Sequence, residues 1–173
     1  MDALIEFAKL IVPALLVLYA VYLTLKNILE KEVEKKHLEL KSKNIETILP
    51  MRMQAFERLA LLLERSSPNN LILRLNNPAY SATEFQVILV REIREEFNHN
   101  LSQQIYISEE GWTLVKKAIE DVINIINQAA AELKEEARGV DLTKSIFDHF
   151  FRYEVDPISH ALSQLKKEVA EFY

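Results

Sequence analysis

Trp112 to Leu133 reads WTLVKKAIEDVINIINQAAAEL, and Trp112, Val115, Ile119, Val122, Ile126, Ala129 and Leu133 follow one another in steps of 3, 4, 3, 4, 3 and 4. A helix turns once in about 3.6 residues, so these side chains share one face and form an a/d seam three heptads long. Ala118, Ile123, Ile125 and Ala130 widen that face, which predicts contact with more than one neighbouring helix. Two glycines and five prolines in 173 residues, with abundant Glu, Lys, Leu and Ala, extend the reading to an all-α chain.

Caps mark the other helices. Ser67-Pro68 predicts a cap with proline at the first helical position, opening a short helix through Leu75 that Asn76-Asn77-Pro78 breaks. Ser81 and Glu84 have the spacing of a capping box, and the helix that follows carries Phe85, Leu89, Ile93, Phe97 and Leu101 on one face. Gln103 to Ile107 reads as a connector or a short strand, and Ser108 caps the seam helix. Gly139 is expected to end that helix in a left-handed stop. Asp141 then caps a short helix with Leu142, Ile146, Phe147, Phe150 and Phe151. Asp156-Pro157 opens the last helix, whose Ile158, Leu162, Leu165, Val169 and Phe172 step by 4, 3, 4 and 3. That narrow stripe docks on the bundle, extends it separately or pairs with another copy, and it is the candidate oligomer surface.

Leu10 to Leu25, LIVPALLVLYAVYLTL, contains no charge. Sixteen helical residues cover roughly 24 Å, and Phe7 and Ala8 lengthen the stretch towards the bilayer's hydrocarbon thickness. Lys9 can snorkel, Pro13 is tolerable near the start of a membrane helix, and Tyr19 and Tyr22 suit an interface. The start, Met-Asp with Glu6, lacks the basic region of a secretory signal. Lys26, Lys31, Lys35, Lys36, Lys41 and Lys43 follow the span, against Lys9 alone before it. The positive-inside bias therefore predicts a single-pass inner-membrane protein with a periplasmic N-terminus and a cytoplasmic body. The expected organisation is a transmembrane anchor at 1–25, a basic helical stalk at 26–49 and a helical domain at 50–173. Leu29, Val33, Leu40 and Ile45 give the stalk a sparse seam, with Glu32–Lys36 and Glu39–Lys43 as supporting pairs. Pro50 is expected to kink this helix or open a new one, whose Met53, Phe56, Leu59, Leu62 and Leu63 form a buried face.

The stretch LPMRMQAFERLALLLERSSPNNLILRLNNP from Leu49, with REIREEFNHNLSQQIYIS and the tryptophan helix, resembles a family of small, uncharacterised, single-span proteins from Bacteroidota. The resemblance covers about half the chain. It implies a membrane-tethered helical domain and supplies no activity.

Charge narrows the partners. Residues 53–173 carry thirteen Lys/Arg and nineteen acids, a balance that disfavours nucleic acid, since phosphate binding needs a basic surface. The basic stretch beside the span suits anionic headgroups or a solvated stalk. The absence of cysteine agrees with a reducing compartment. No P-loop, glycine-rich dinucleotide turn or cysteine cluster occurs, and Ser67, Ser81 and Ser108 are explained by capping, so no enzyme and no cofactor are expected. Glu34–His37 and Glu96–His99 have the Glu-x-x-His spacing of di-iron bundles, which makes a membrane-anchored metalloenzyme the alternative. His37, in the stalk, is badly placed to meet His99. Asp156 and His160 read as cap and surface residues. Asn69, Asn70, Arg74, Arg91, Arg94, His99 and Gln103, with Asn76, Asn77, Asn98, Asn100 and Gln104 around them, are the candidate interaction surface. The same groups equally serve to satisfy helix termini. The expected function is a tethered adaptor or assembly subunit that holds a protein partner at the membrane, with self-association allowed.

Overall fold

The computed structural model describes the backbone of residues 2–172 and the side chains of residues 11, 15–39, 43 and 46–172. Among these the chain is all-helical: α1 (Asp2–Ser66), α2 (Pro68–Leu75), α3 (Ala82–His99), a 3-10 turn (Leu101–Ile105), α4 (Glu109–Ala131), α5 (Gly139–Phe150) and α6 (Pro157–Ala170). The chain divides into two units, Met1–Leu49 and Pro50–Tyr173.

In the first unit, Lys26 and Glu30 stand 4.0 Å apart. Among the described residues this pair, and neither Glu32–Lys36 nor Glu39–Lys43, comes within ion-pair reach; both side chains are exposed, so it contributes little. Leu29 and Val33 of the expected seam are exposed, while the side chains of Leu40 and Ile45 lie outside the described ones. Among the described residues no helix is long and apolar enough to cross a membrane. Of the expected span at 1–25, the side chains of residues 1–10 and 12–14 lie outside the described ones.

Pro50 does not interrupt α1. A proline inside a helix removes one backbone hydrogen bond and costs about 3 kcal/mol. The turn that follows is held by packing, because Ala55, Phe56, Leu59, Leu62 and Leu63 are all buried in the core of the second unit. The Glu64 carbonyl ends α1 by accepting from Ser67 N–H at 3.3 Å, Ser67 Oγ at 2.8 Å and Asn70 Nδ2 at 2.9 Å. Ser67 thus precedes α2 with Pro68 at its first position, but its hydroxyl serves the preceding helix.

The seam helix α4 is the centre of this unit and packs against α3, α5 and α6. Its Val115, Ala118, Ile119, Val122, Ile125, Ile126 and Ala129 are buried, which is why its apolar face is wider than a two-helix seam. Phe85, Leu89 and Ile93 of α3 meet it, and Phe97 stacks on Trp112 with ring centroids 5.4 Å apart. The capping box at Ser81 is complete: Glu84 N–H donates to Ser81 Oγ at 3.2 Å, and Ser81 N–H donates to Glu84 Oε2 at 2.9 Å. The segment after α3 winds as the 3-10 turn and not as a strand, with Leu101 on its exposed side.

Gly139 corrects the reading of the next boundary. The seam helix already stops at Ala131, and among the described residues no glycine has positive φ. Gly139 instead begins α5, where its N–H donates to the Tyr80 carbonyl at 2.9 Å. A Cβ there would stand 3.3 Å from that oxygen, so the glycine permits a close backbone approach. Ser81 and Arg138 form an antiparallel bridge at this point, tying the starts of α3 and α5 together. Asp141 is the third residue of α5, and its Oδ2 accepts from Arg138 N–H at 3.0 Å.

The last helix docks within one chain. Ile158 and Leu165 are buried, Leu162, Val169 and Phe172 pack partly buried against the same core, and Phe172 lies 6.1 Å from the Phe56 ring. The Arg52 guanidinium sits 4.3 Å from the Phe172 centroid while its Nε donates to the Tyr106 carbonyl at 2.9 Å. Ile158 and Leu165 of the stripe read as an oligomer surface thus belong to the core of this one chain, while Leu162, Val169 and Phe172 pack at its edge.

Candidate functional site

The residues of the expected polar surface have several different settings in the fold. Asn70 closes α1 as described, and the buried Asn100 donates from Nδ2 to the Glu96 carbonyl at 2.8 Å. Gln103 is buried in the 3-10 turn and donates to Ser102 Oγ at 3.1 Å. Arg74 is paired with Glu92 across α2 and α3. His99 is exposed in the last turn of α3, and Asn69 is exposed beside a hollow lined by Phe147, Phe150 and Phe151.

Arg91 and Arg94 remain, and the structure brings these two together. They line a groove of about 440 Å³ with Gln86, Val87, Val90, Glu95 and Asn98 of α3 and Asn127 of α4. Gln86 Nε2 donates to Asn127 Oδ1 at 3.0 Å, joining the two helices that line the groove. Sequence reading found the two arginines by their charge. It missed Gln86, Val87, Val90 and Asn127, whose proximity depends on a pairing across 41 positions. The available signal was Val87, an apolar residue on the polar side of the α3 pattern and exposed in the fold.

A larger cleft of about 710 Å³ lies over α4 and the segment after α5, lined by Lys117, Asp121, His149, Arg152, Tyr153 and His160 among others. His149 is the one buried imidazole among them, and both its nitrogens are engaged. Nδ1–H donates to the Ser145 carbonyl at 2.9 Å, and Nε2 faces Glu132 Oε1 at 3.1 Å. His149 thereby links α5, through the Ser145 carbonyl, to Glu132 just past the end of α4. Asp156 caps α6, accepting from Ile158 N–H at 2.9 Å and Ser159 Oγ at 2.6 Å. Of the two Glu-x-x-His spacings, Glu96 accepts from Arg65 Nε at 3.1 Å and Glu34–His37 belongs to the first unit. Among the described residues no three acidic, histidine or cysteine side chains converge as metal ligands.

Among the described residues one ionisable group is clearly displaced. The hydrogen bond from Ser81 N–H, and then that from Ser81 Oγ, hold the Glu84 carboxyl below its ordinary value of 4.5. That effect stabilises a helix start and is remote in purpose from chemistry. What remains of the candidate surface is the α3–α4 groove, lined by two arginines, the Glu95 carboxylate, three amides and two valines.

No curated protein and no solved structure matches the chain. A family model, the family of unknown function DUF7935, matches residues 2–172, and the chain belongs to that family.

Proposed function

We propose that the protein is a membrane-tethered helical adaptor or assembly subunit, anchored by one N-terminal span in a bacterial inner membrane and holding a protein partner there. One observation carries the tether. Leu15, Leu16, Val17 and Leu18 are 59, 64, 64 and 66% exposed. Four successive residues step right round a helix, so within the first unit no face of this apolar segment is covered. A helix apolar on every side needs apolar surroundings, and a bilayer provides them. The lysines from Lys26 onward support a cytoplasmic body. The exposed Arg91, Arg94 and Val87 of the α3–α4 groove support a binding surface for a partner.

Fractionation tests this. The full chain should remain with membranes through alkaline and high-salt washes, and a reporter fused after Tyr173 should be active only in the cytoplasm. Release of the full chain by alkaline wash would overturn the tether, and a periplasmic reporter signal would overturn the orientation.

A further inference from the structure

We infer that the α3–α4 groove docks an acidic amphipathic helix of a partner protein, its carboxylates meeting Arg91 and Arg94 and its apolar side chains settling on Val87 and Val90. The inference rests on the adaptor reading and names the chemistry of the partner.

Helix α3 carries four acids and two arginines. Three of its four acids are used elsewhere: Glu84 closes the capping box, Glu92 pairs with Arg74 and Glu96 pairs with Arg65. Glu95 alone lines the groove, 4.0 Å from Arg91 with both side chains exposed, a geometry that neutralises little. Both arginines of α3 line the groove, and among the described residues no carboxylate comes within ion-pair reach of Arg94. The facing helix contributes an amide, Asn127, to the lining; Glu120, seven residues earlier on α4, stands outside it. A body with nineteen acids against thirteen bases thus presents a cationic groove. Its complement is an anionic ligand, steered there through an otherwise repelling field.

The apolar part selects the kind of anion. Val87 is 59% exposed and Val90 half-buried, one helical turn apart on the same wall as the arginines. Val87, Arg91, Arg94 and Asn98 recur at spacings of four, three and four, the period that a helix laid between two helices reads. A nucleic acid would need a broad basic surface, which two arginines on an acidic body do not supply.

The test uses the full chain in detergent micelles, with empty micelles as the blank. The probes are two synthetic amphipathic peptides with the same leucine stripe, one flanked by glutamates and the other by lysines. Wild type should bind the glutamate peptide at least about tenfold more tightly than the double variant Arg91→Glu, Arg94→Glu does. The double variant should gain affinity for the lysine peptide, a swap that a misfolded protein would not show. Equal affinity of both proteins for the glutamate peptide, or no gain for the lysine peptide, would sink the proposal. So would tighter binding of wild type to a uridine-rich RNA oligomer than to the glutamate peptide. The outcome is separable from the tether: if washing removes the chain from membranes, the titration still decides the groove. If the titration fails while the chain stays in membranes, the tether stands and this groove is not its docking surface.

Discussion

Glu168, near the end of α6, accepts a hydrogen bond from the Ser108 hydroxyl at 2.6 Å, so a side chain of the last helix completes the start of the central one. Its second oxygen accepts from Ser108 N–H at 3.2 Å, and Ser108 Oγ in turn accepts from Gly111 N–H at 2.9 Å. The three groups form a chain in which each polar atom is satisfied, beside the positive end of the α4 dipole. Glu168 is buried, which is affordable only because of those donors.

Gly111 is the partner that makes room. A methyl there would overlap Glu168 Oε1. Gly111→Ala should therefore destabilise the wild type despite the better helix propensity of alanine. Glu168→Ala should cost about 1–3 kcal/mol by leaving the Ser108 donors unpaired. In the Glu168→Ala background, Gly111→Ala should turn neutral or stabilising by up to about 1 kcal/mol, because the overlap is gone and the propensity gain remains. Denaturant melts of the four proteins measure this. Additive losses would show that the carboxylate does not face Gly111.

The heptad seam makes the second prediction. Ile119 and Ile126 are buried on α4, whereas Glu120 is exposed. Truncating either isoleucine to alanine should cost about 2–5 kcal/mol, and Glu120→Lys less than about 0.5 kcal/mol. Similar losses at all three positions would mean that α4 presents a different face to the bundle.

Features carried by one turn of chain were legible in the sequence, and features that need a second segment were not. The Ser81–Glu84 box, the Ser108 cap and the Asp156-Pro157 start depend on groups within three residues of one another, so spacing reveals them. The seam from Val115 to Ala129 is likewise a single-helix pattern. Gly139 was misread because glycine serves both left-handed stops and close approaches, and only Tyr80, 59 positions away, decides between them. Pro50 was expected to kink the helix or open a new one; no new helix opens there, and α1 runs on to the buried Phe56 and Leu59. The polar cluster mixed groups that close helix ends with the two arginines that do not, and Asn127 joins those arginines only through tertiary packing.

The stripe on α6 gives a third prediction. Leu165 is buried in the same core as Ile158 and Ala161. Leu165→Lys places a charge there, so it should unfold or strongly destabilise the second unit, by more than about 3 kcal/mol. Circular dichroism and size measurement check it. A folded variant that merely loses an oligomer would show that α6 packs between chains.

Glu84 gives the pH dependence. Its folded-state carboxyl titrates below 4.5, the ordinary value taken for the unfolded chain, because Ser81 N–H and Oγ both donate to Oε2 at 2.9 Å. A carboxyl with a depressed folded pKa adds stability above its unfolded value and loses it as the pH falls through the folded one. Glu84→Gln keeps an oxygen acceptor for the capping box but has no proton to take up. The stability difference between wild type and Glu84→Gln should therefore be flat from about pH 7 to about pH 5.5 and shrink as pH falls below about 4.5. Every other carboxylate is common to the two proteins, so the difference isolates this helix start. A constant difference down to about pH 3 would show that the ionised carboxylate contributes nothing beyond its shape.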